Sequence, residues 1–182
     1  MTQSKKNVAW VYHYRQPTLR IRPETLASSW KHPKPTITKD SVIFTAPDAN
    51  SIFCVDLLTG QKKWKAQRKD DVYLAGVFEN NVLLVGKDST RALSAKTGQQ
   101  VWETKTGLPS GVGTVSQGRY FLPLAKGNKS QKPEVAVLDP KEGKLLRRLP
   151  VAKGHIPGNL VFHRDAVVSQ TSETIAVYPI KR

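Results

Sequence analysis

A chain of 182 residues with 29 Lys and Arg against 14 Asp and Glu carries a formal net charge of +15, which attracts acidic partners. A single cysteine rules out an intrachain disulfide framework, and no apolar run approaches the roughly 20 residues that cross a bilayer. The basic residues are scattered over several segments without a helix-length stripe, so nucleic-acid binding is disfavoured and a solvated basic surface is expected.

From the N-terminus, residues 1–7 are basic but lack the apolar stretch and small-residue cleavage site of a secretory signal. Residues 8–12, with Trp10 at their centre, predict an isolated strand. Residues 15–39, with Pro17, Pro23, Pro33 and Pro35, predict an extended linker or poorly formed strands. Residues 1–35 are therefore assigned to an N-terminal strand and proline-rich linker, and 36–182 to the repeat array. Short β-branched and aromatic stretches bounded by Gly, Pro, Asn and Asp predict strands at 41–46, 51–56, 62–67, 72–78, 82–85, 91–94, 100–104, 113–116, 120–124, 135–138, 144–150, 159–163, 166–170 and 174–178. No segment predicts a helix of three turns, so the fold class is all-β. Cys54, flanked by Phe53 and Val55, is expected to be a small buried core residue.

The segment from Val55 to Trp64, VDLLTGQKKW, recurs from Leu93 to Trp102 as LSAKTGQQVW, and a worn copy, LDPKEGKLLR, runs from Leu138 to Arg147. The copies lie 38 residues apart from Gly60 to Gly98 and 45 apart from Gly98 to Gly143, within the roughly 40-residue range of one four-stranded propeller blade. The repeat has a mechanical meaning. Asp56, and Asp139 in the third copy, can accept backbone N–H groups across a turn in which Thr59 and Thr97 also sit. Gly60, Gly98 and Gly143 can take the positive φ that starts the next strand. Trp64 and Trp102 then lie on the returning strand, large enough to span the gap between blades, each with an indole N–H that needs an acceptor.

Repeated Leu-Asp-x-x-Thr-Gly-x-x-x-Trp resembles the pyrroloquinoline quinone (PQQ)-type propeller repeat, shared by quinoprotein alcohol dehydrogenases and by non-enzymatic relatives. In the second copy Ser94 replaces the aspartate. In the third, Glu142 replaces the threonine and Arg147 the tryptophan, so its own docking contact is in doubt. The resemblance covers roughly residues 36 to 180 and implies a partial β-propeller of about three to four blades, expected here as an open arc cut from a larger ring. Closure by pairing residues 8–12 with the last blade is the alternative, but it would give about four blades where the family implies six to eight.

A dehydrogenase of this type implies a calcium site, a catalytic carboxylate and an adjacent cysteine pair. Cys54 alone excludes the pair, and neither Asp70-Asp71 nor Glu79-Asn80-Asn81 has a spacing that requires calcium. His13, His32, His155 and His163 are scattered. Ser110 lacks a nucleophile elbow, and Gly111-Val112-Gly113 has no following helix to make a phosphate loop. No catalytic, cofactor-binding or metal residue is expected, and PQQ and calcium enter only through the resemblance. The expected function is a non-catalytic module for protein binding or scaffolding, with an acidic partner and with self-association if the arc is open. The alternatives are a remnant of a PQQ-dependent oxidoreductase, with ligands on a companion chain, and a basic surface for nucleic acid. The resemblance alone implies a cell-envelope or periplasmic setting.

Overall fold

The computed structural model describes residues 8–14, 34–45 and 50–180. Every element among them is a strand, and the strands form four antiparallel sheets in chain order. Blade 1 comprises β1 (Thr36–Ile37), β2 (Ser41–Thr45), β3 (Ser51–Asp56) and β4 (Lys62–Gln67). Blade 2 comprises β5 (Asp71–Phe78), β6 (Asn81–Gly86), β7 (Ser89–Ser94) and β8 (Gln100–Lys105). Blade 3 holds β9 (Gly107–Pro109), β10 (Thr114–Ser116), β11 (Arg119–Gly127), β12 (Glu134–Leu138) and β13 (Leu145–Pro150). Blade 4 holds β14 (Asn159–His163), β15 (Ala166–Gln170) and β16 (Ile175–Pro179).

Blade 3 has five strands because its first lane is split. Val115 of β10 pairs with Tyr120 of β11, and Leu108 of β9 pairs with Lys126 beyond a register shift. Lys126 therefore lies in a strand. The two-residue β1 and three-residue β9 are too short to show an alternating pattern in sequence. Residues 8–14 carry no strand assignment, so the isolated strand expected at 8–12 is absent, although its tryptophan is seated as described below. A lone extended segment without a ladder partner does not meet the hydrogen-bond definition of a strand.

The cores lie between the sheets. Because side chains alternate across a strand, each middle strand serves two interfaces at once. Val82 and Leu84 of β6 pack toward blade 1 with Ile43, Ile52, Cys54 and Trp64. Leu83 and Val85 of the same strand pack toward blade 3 with Tyr120, Leu122, Ala136 and Leu138. Phe121, Val135 and Val137 then meet Leu160 and Val167 of blade 4. Middle strands consequently read as continuous apolar runs, whereas outer strands such as β4 (KKWKAQ) face water and bury only their tryptophan. Lysines along such an edge also discourage pairing with another sheet.

The two ends of the stack differ. Phe53, on the outer face of blade 1, is covered by Tyr12 and Tyr14, which pack with Phe44 and Phe53 at centroid separations of 5.6 to 6.1 Å. The outer face of blade 4 has no such cover among the described residues: Val161 is 62% exposed, Ile175 72% and Val177 60%. The stack does not close on itself, and the molecule is an open arc of a β-propeller.

Candidate functional site

The repeated motif builds the same turn three times. Gly60, Gly98 and Gly143 have φ of 70°, 72° and 70°. Each donates its N–H to the carbonyl four residues earlier, of Asp56, Ser94 and Asp139, at 2.8 to 2.9 Å. In the first copy Asp56 Oδ1 accepts the N–H groups of Leu58 and Thr59 and the Thr59 hydroxyl, while Thr59 Oγ1 accepts from Gln61 N. These bonds, led by those from Thr59, hold the Asp56 carboxyl below its ordinary pKa. In the third copy Asp139 Oδ1 accepts from Lys141 and Glu142. Ser94 manages a single longer bond from Thr97 N, and Thr97 Oγ1 accepts from Gln99 N.

Onto each glycine lies a tryptophan, from the segment 8–14 for Gly60 and from the outer strand of the preceding blade for Gly98 and Gly143. A Cβ added at Gly60 would stand 2.6 Å from the Trp10 ring, one at Gly98 2.7 Å from Trp64, and one at Gly143 would overlap Trp102. Glycine is required here twice, by φ and by contact. Trp10 Nε1 donates to Leu57 O at 2.9 Å and Trp64 Nε1 to Ala95 O at 2.8 Å, in each case the carbonyl three residues before the glycine. The equivalent oxygen in the third turn, Pro140 O, accepts instead from the Asn81 side-chain amide, which also reaches Lys141 O. Trp102 Nε1 is buried without a partner. The third turn also lacks a second bond of the first two. Leu57 and Ala95 use their N–H groups to bond Asp40 O and Asn80 O, and proline has none to offer.

Of the side chains considered as cation ligands, Asp71 and Asn81 are engaged in holding the blades. Asp71 is 1% exposed and faces Arg91 through two bonds, Nε to Oδ1 at 3.0 Å and Nη2 to Oδ2 at 2.5 Å, and Arg91 also reaches Gln67 O of blade 1. Asn81 donates across to blade 3. A carboxylate saturated by a guanidinium and an amide used as donor are poor oxygen ligands for calcium. No group of three His, Cys, Asp or Glu side chains among the described residues is placed to hold a metal. Asp71 and Asn81 as placed here therefore do not fit a calcium site. Ser110 Oγ donates to Pro157 O at 2.5 Å and Asn159 Oδ1 accepts from Val112 N, so both join blade 3 to blade 4.

The Asp71–Arg91 pair and the Asn81 contact went unseen in the sequence. Their partners lie 20 and 59 residues away, and no local periodicity links them.

A groove of about 780 Å³ opens beside the segment joining β13 to β14. Pro133, Val151 and Ile156 give it an apolar lining, Ile156 being itself exposed, and Lys132, Lys153 and His155 beside them are also exposed. Glu134, at its base, is buried against Arg148, whose second amino group donates to Asn128 Oδ1 at 2.8 Å.

A sequence profile of the family described as outer membrane protein assembly factor BamB matches residues 86–180, just over half of the chain. The quinoprotein alcohol dehydrogenase PedH of Pseudomonas putida is 26% identical over an alignment covering 66% of this chain, which spans only 23% of that relative. Among solved structures, BamB from Moraxella catarrhalis superposes with a TM-score of 0.57 at 18% identity, covering 80% of this chain and 47% of its own. The computationally designed Ika4 protein gives 0.60 at 23% identity, covering 81% and 89%. These structural likenesses concern the fold.

Proposed function

The chain belongs to the PQQ-type repeat family described as outer membrane protein assembly factor BamB, and from that premise we propose that it is a non-catalytic binding module whose basic groove docks an acidic segment of a protein partner. One observation carries this reading: the division of labour among polar side chains. Asp56, Asp71, Asn81 and Ser110 are engaged in turns and blade contacts, whereas Lys132, Lys153 and His155 stand exposed beside an apolar lining. Such a rim favours carboxylates, and the lining accepts an apolar anchor between them. By likeness to a factor of outer membrane assembly, the cell envelope is the proposed setting. Oxidoreductase activity, named for PedH, would need donors that the described residues do not assemble.

The test is fluorescence anisotropy with a labelled peptide of alternating aspartate and leucine, beside a single-stranded DNA of equal charge. The peptide is expected to bind, and the double substitution K132E/K153E to weaken it about tenfold, the loss of two favourable charge contacts. Equal affinity for DNA would favour the nucleic-acid alternative, and no peptide binding would overturn the proposal. Adding PQQ and Ca²⁺ is expected to leave the affinity unchanged.

A further inference from the structure

Residues 8–14 occupy the place of a fourth strand whose sheet is not on this side of the molecule. Trp10 meets Gly60 and Leu57 O as Trp64 meets Gly98 and Ala95 O, so the segment sits where the outer strand of a preceding blade would sit. At the other end, blade 4 has three strands, and the outer edge of β16 is unpaired among the described residues. The register places His163, Ala166 and Pro179 in one row, Val161, Val168 and Val177 in the next, and Asn159, Gln170 and Ile175 in the third, on the outward face except for the Asn159 side chain, which turns back to Val112 N of blade 3. Not one of these nine is Lys, Arg, Asp or Glu, in a chain where those types number 43 of 182 residues. The matching face of blade 3 carries Phe121, Val135 and Val137, which blade 4 buries to 4%, 1% and 3% exposure.

We propose that the outward face of blade 4 and the open edge of β16 receive residues 8–14 and blade 1 of a second copy of this chain, two copies closing head to tail through two equal contacts. The segment Val8–Tyr14 is uncharged apart from His13, so it adds to β16 without bringing a lysine against the valine row. Val11, 66% exposed, alternates with Trp10 and Tyr12 along the extended segment and so lies on the side opposite them. Edge addition supplies the ladder bonds that residues 8–14 lack, and docking buries the valine row. A head-to-tail contact that closes makes a ring.

The experiment uses light scattering on the full chain and two variants. The parent, of 20.2 kDa, is expected to double in mass as concentration rises. V177K puts a charge in the valine row, and V11P removes an N–H from the segment; each alone is expected to lower the dimer fraction at least several-fold while far-UV circular dichroism stays unchanged. Mixed together they retain one intact contact, made by the face of V11P and the segment of V177K, so the mixture is expected to recover dimer that neither forms alone. A parent that stays at the mass of one chain overturns the proposal, whether its ends meet within the chain or not. So does a dimer indifferent to V177K, or a mixture that recovers nothing. Peptide binding in the groove is read separately, so failure here leaves the binding proposal standing and the reverse also holds.

Discussion

Trp64 and Trp102 lie on their glycines alike, yet only Trp64 has a bonded indole N–H. Phenylalanine keeps most of the ring and removes the donor. W64F is therefore expected to cost about 1 kcal/mol more than W102F, the worth of one net hydrogen bond plus a stranded carbonyl, measured by urea unfolding. At Gly98 an alanine meets both the left-handed φ, worth about 1–2 kcal/mol, and the Trp64 ring, worth about 1–3 kcal/mol more. Gly118 has the same φ of 70° but nothing within 4 Å, so G118A should show the first cost alone. Asp56 is held below its ordinary 3.8 by Thr59, Leu58 and Lys63, so it binds a proton less readily folded than unfolded. Its contribution is complete above about pH 4 and is lost as pH falls further. D56N keeps an acceptor oxygen without titrating, and its Tm should fall less steeply with acid than that of the parent.

Strands and interfaces obey a different logic, since what decides them is which blade a side chain faces. Tyr73 of β5 and Tyr120 of β11 share a 3.0 Å hydrogen bond within the core between blades 2 and 3. Burial pushes Tyr73 up to about 12 and Tyr120 well above the ordinary value. Both stay protonated while the unfolded phenols ionise near pH 10. Their stabilisation is complete below that and is lost as pH rises toward 12, which tyrosinate absorbance would follow together with loss of structure. D71A strands the Arg91 guanidinium and is expected to cost about 3–5 kcal/mol. Removing Arg91 as well should cost much less than the sum of the two single changes. The middle strands were legible because apolar runs such as Val82–Val85, bounded by Asn81 and Gly86, leave few other assignments. The all-β class followed from the short β-branched and aromatic stretches, the blade-length repeat from the spacing of Gly60, Gly98 and Gly143, and the open arc from the resemblance of the repeated motif to the PQQ type. Legibility stopped where partners are distant in sequence: nothing local tied Asp71 to Arg91 or Asn81 to the third turn, and of the split lane only β10 was foreseen, as 113–116, while β9 was missed. The groove was illegible for the same reason, since Lys132 and Lys153 come from different segments.

At the scale of the whole molecule, the blades form a short linear array in which each touches only its neighbours, so stability is set junction by junction. The junctions between blades 1 and 2 and between blades 2 and 3 each carry a tryptophan on a glycine. The junction between blades 3 and 4 relies on Phe121, Val135, Val137, Leu160 and Val167, with Arg147 where the repeat would place an indole. Unfolding should begin at that end. Amide hydrogen exchange is expected to be slowest in β6 and β11, each buried on both faces, and fastest in β16. Uniform exchange across all four blades would mean that the array opens as one unit.

Cys54 is fully buried at the junction of blades 1 and 2, and burial raises its thiol pKa. As the one sulfhydryl in the chain, it turns that seam into a clock. A thiol-reactive dye can reach it only when blade 1 lifts away from Val82 and Leu84, so the labelling rate in native buffer counts those separations without any added probe. Compared between the parent and W64F, that rate would report how firmly a single indole latches one leaf of the fan to the next.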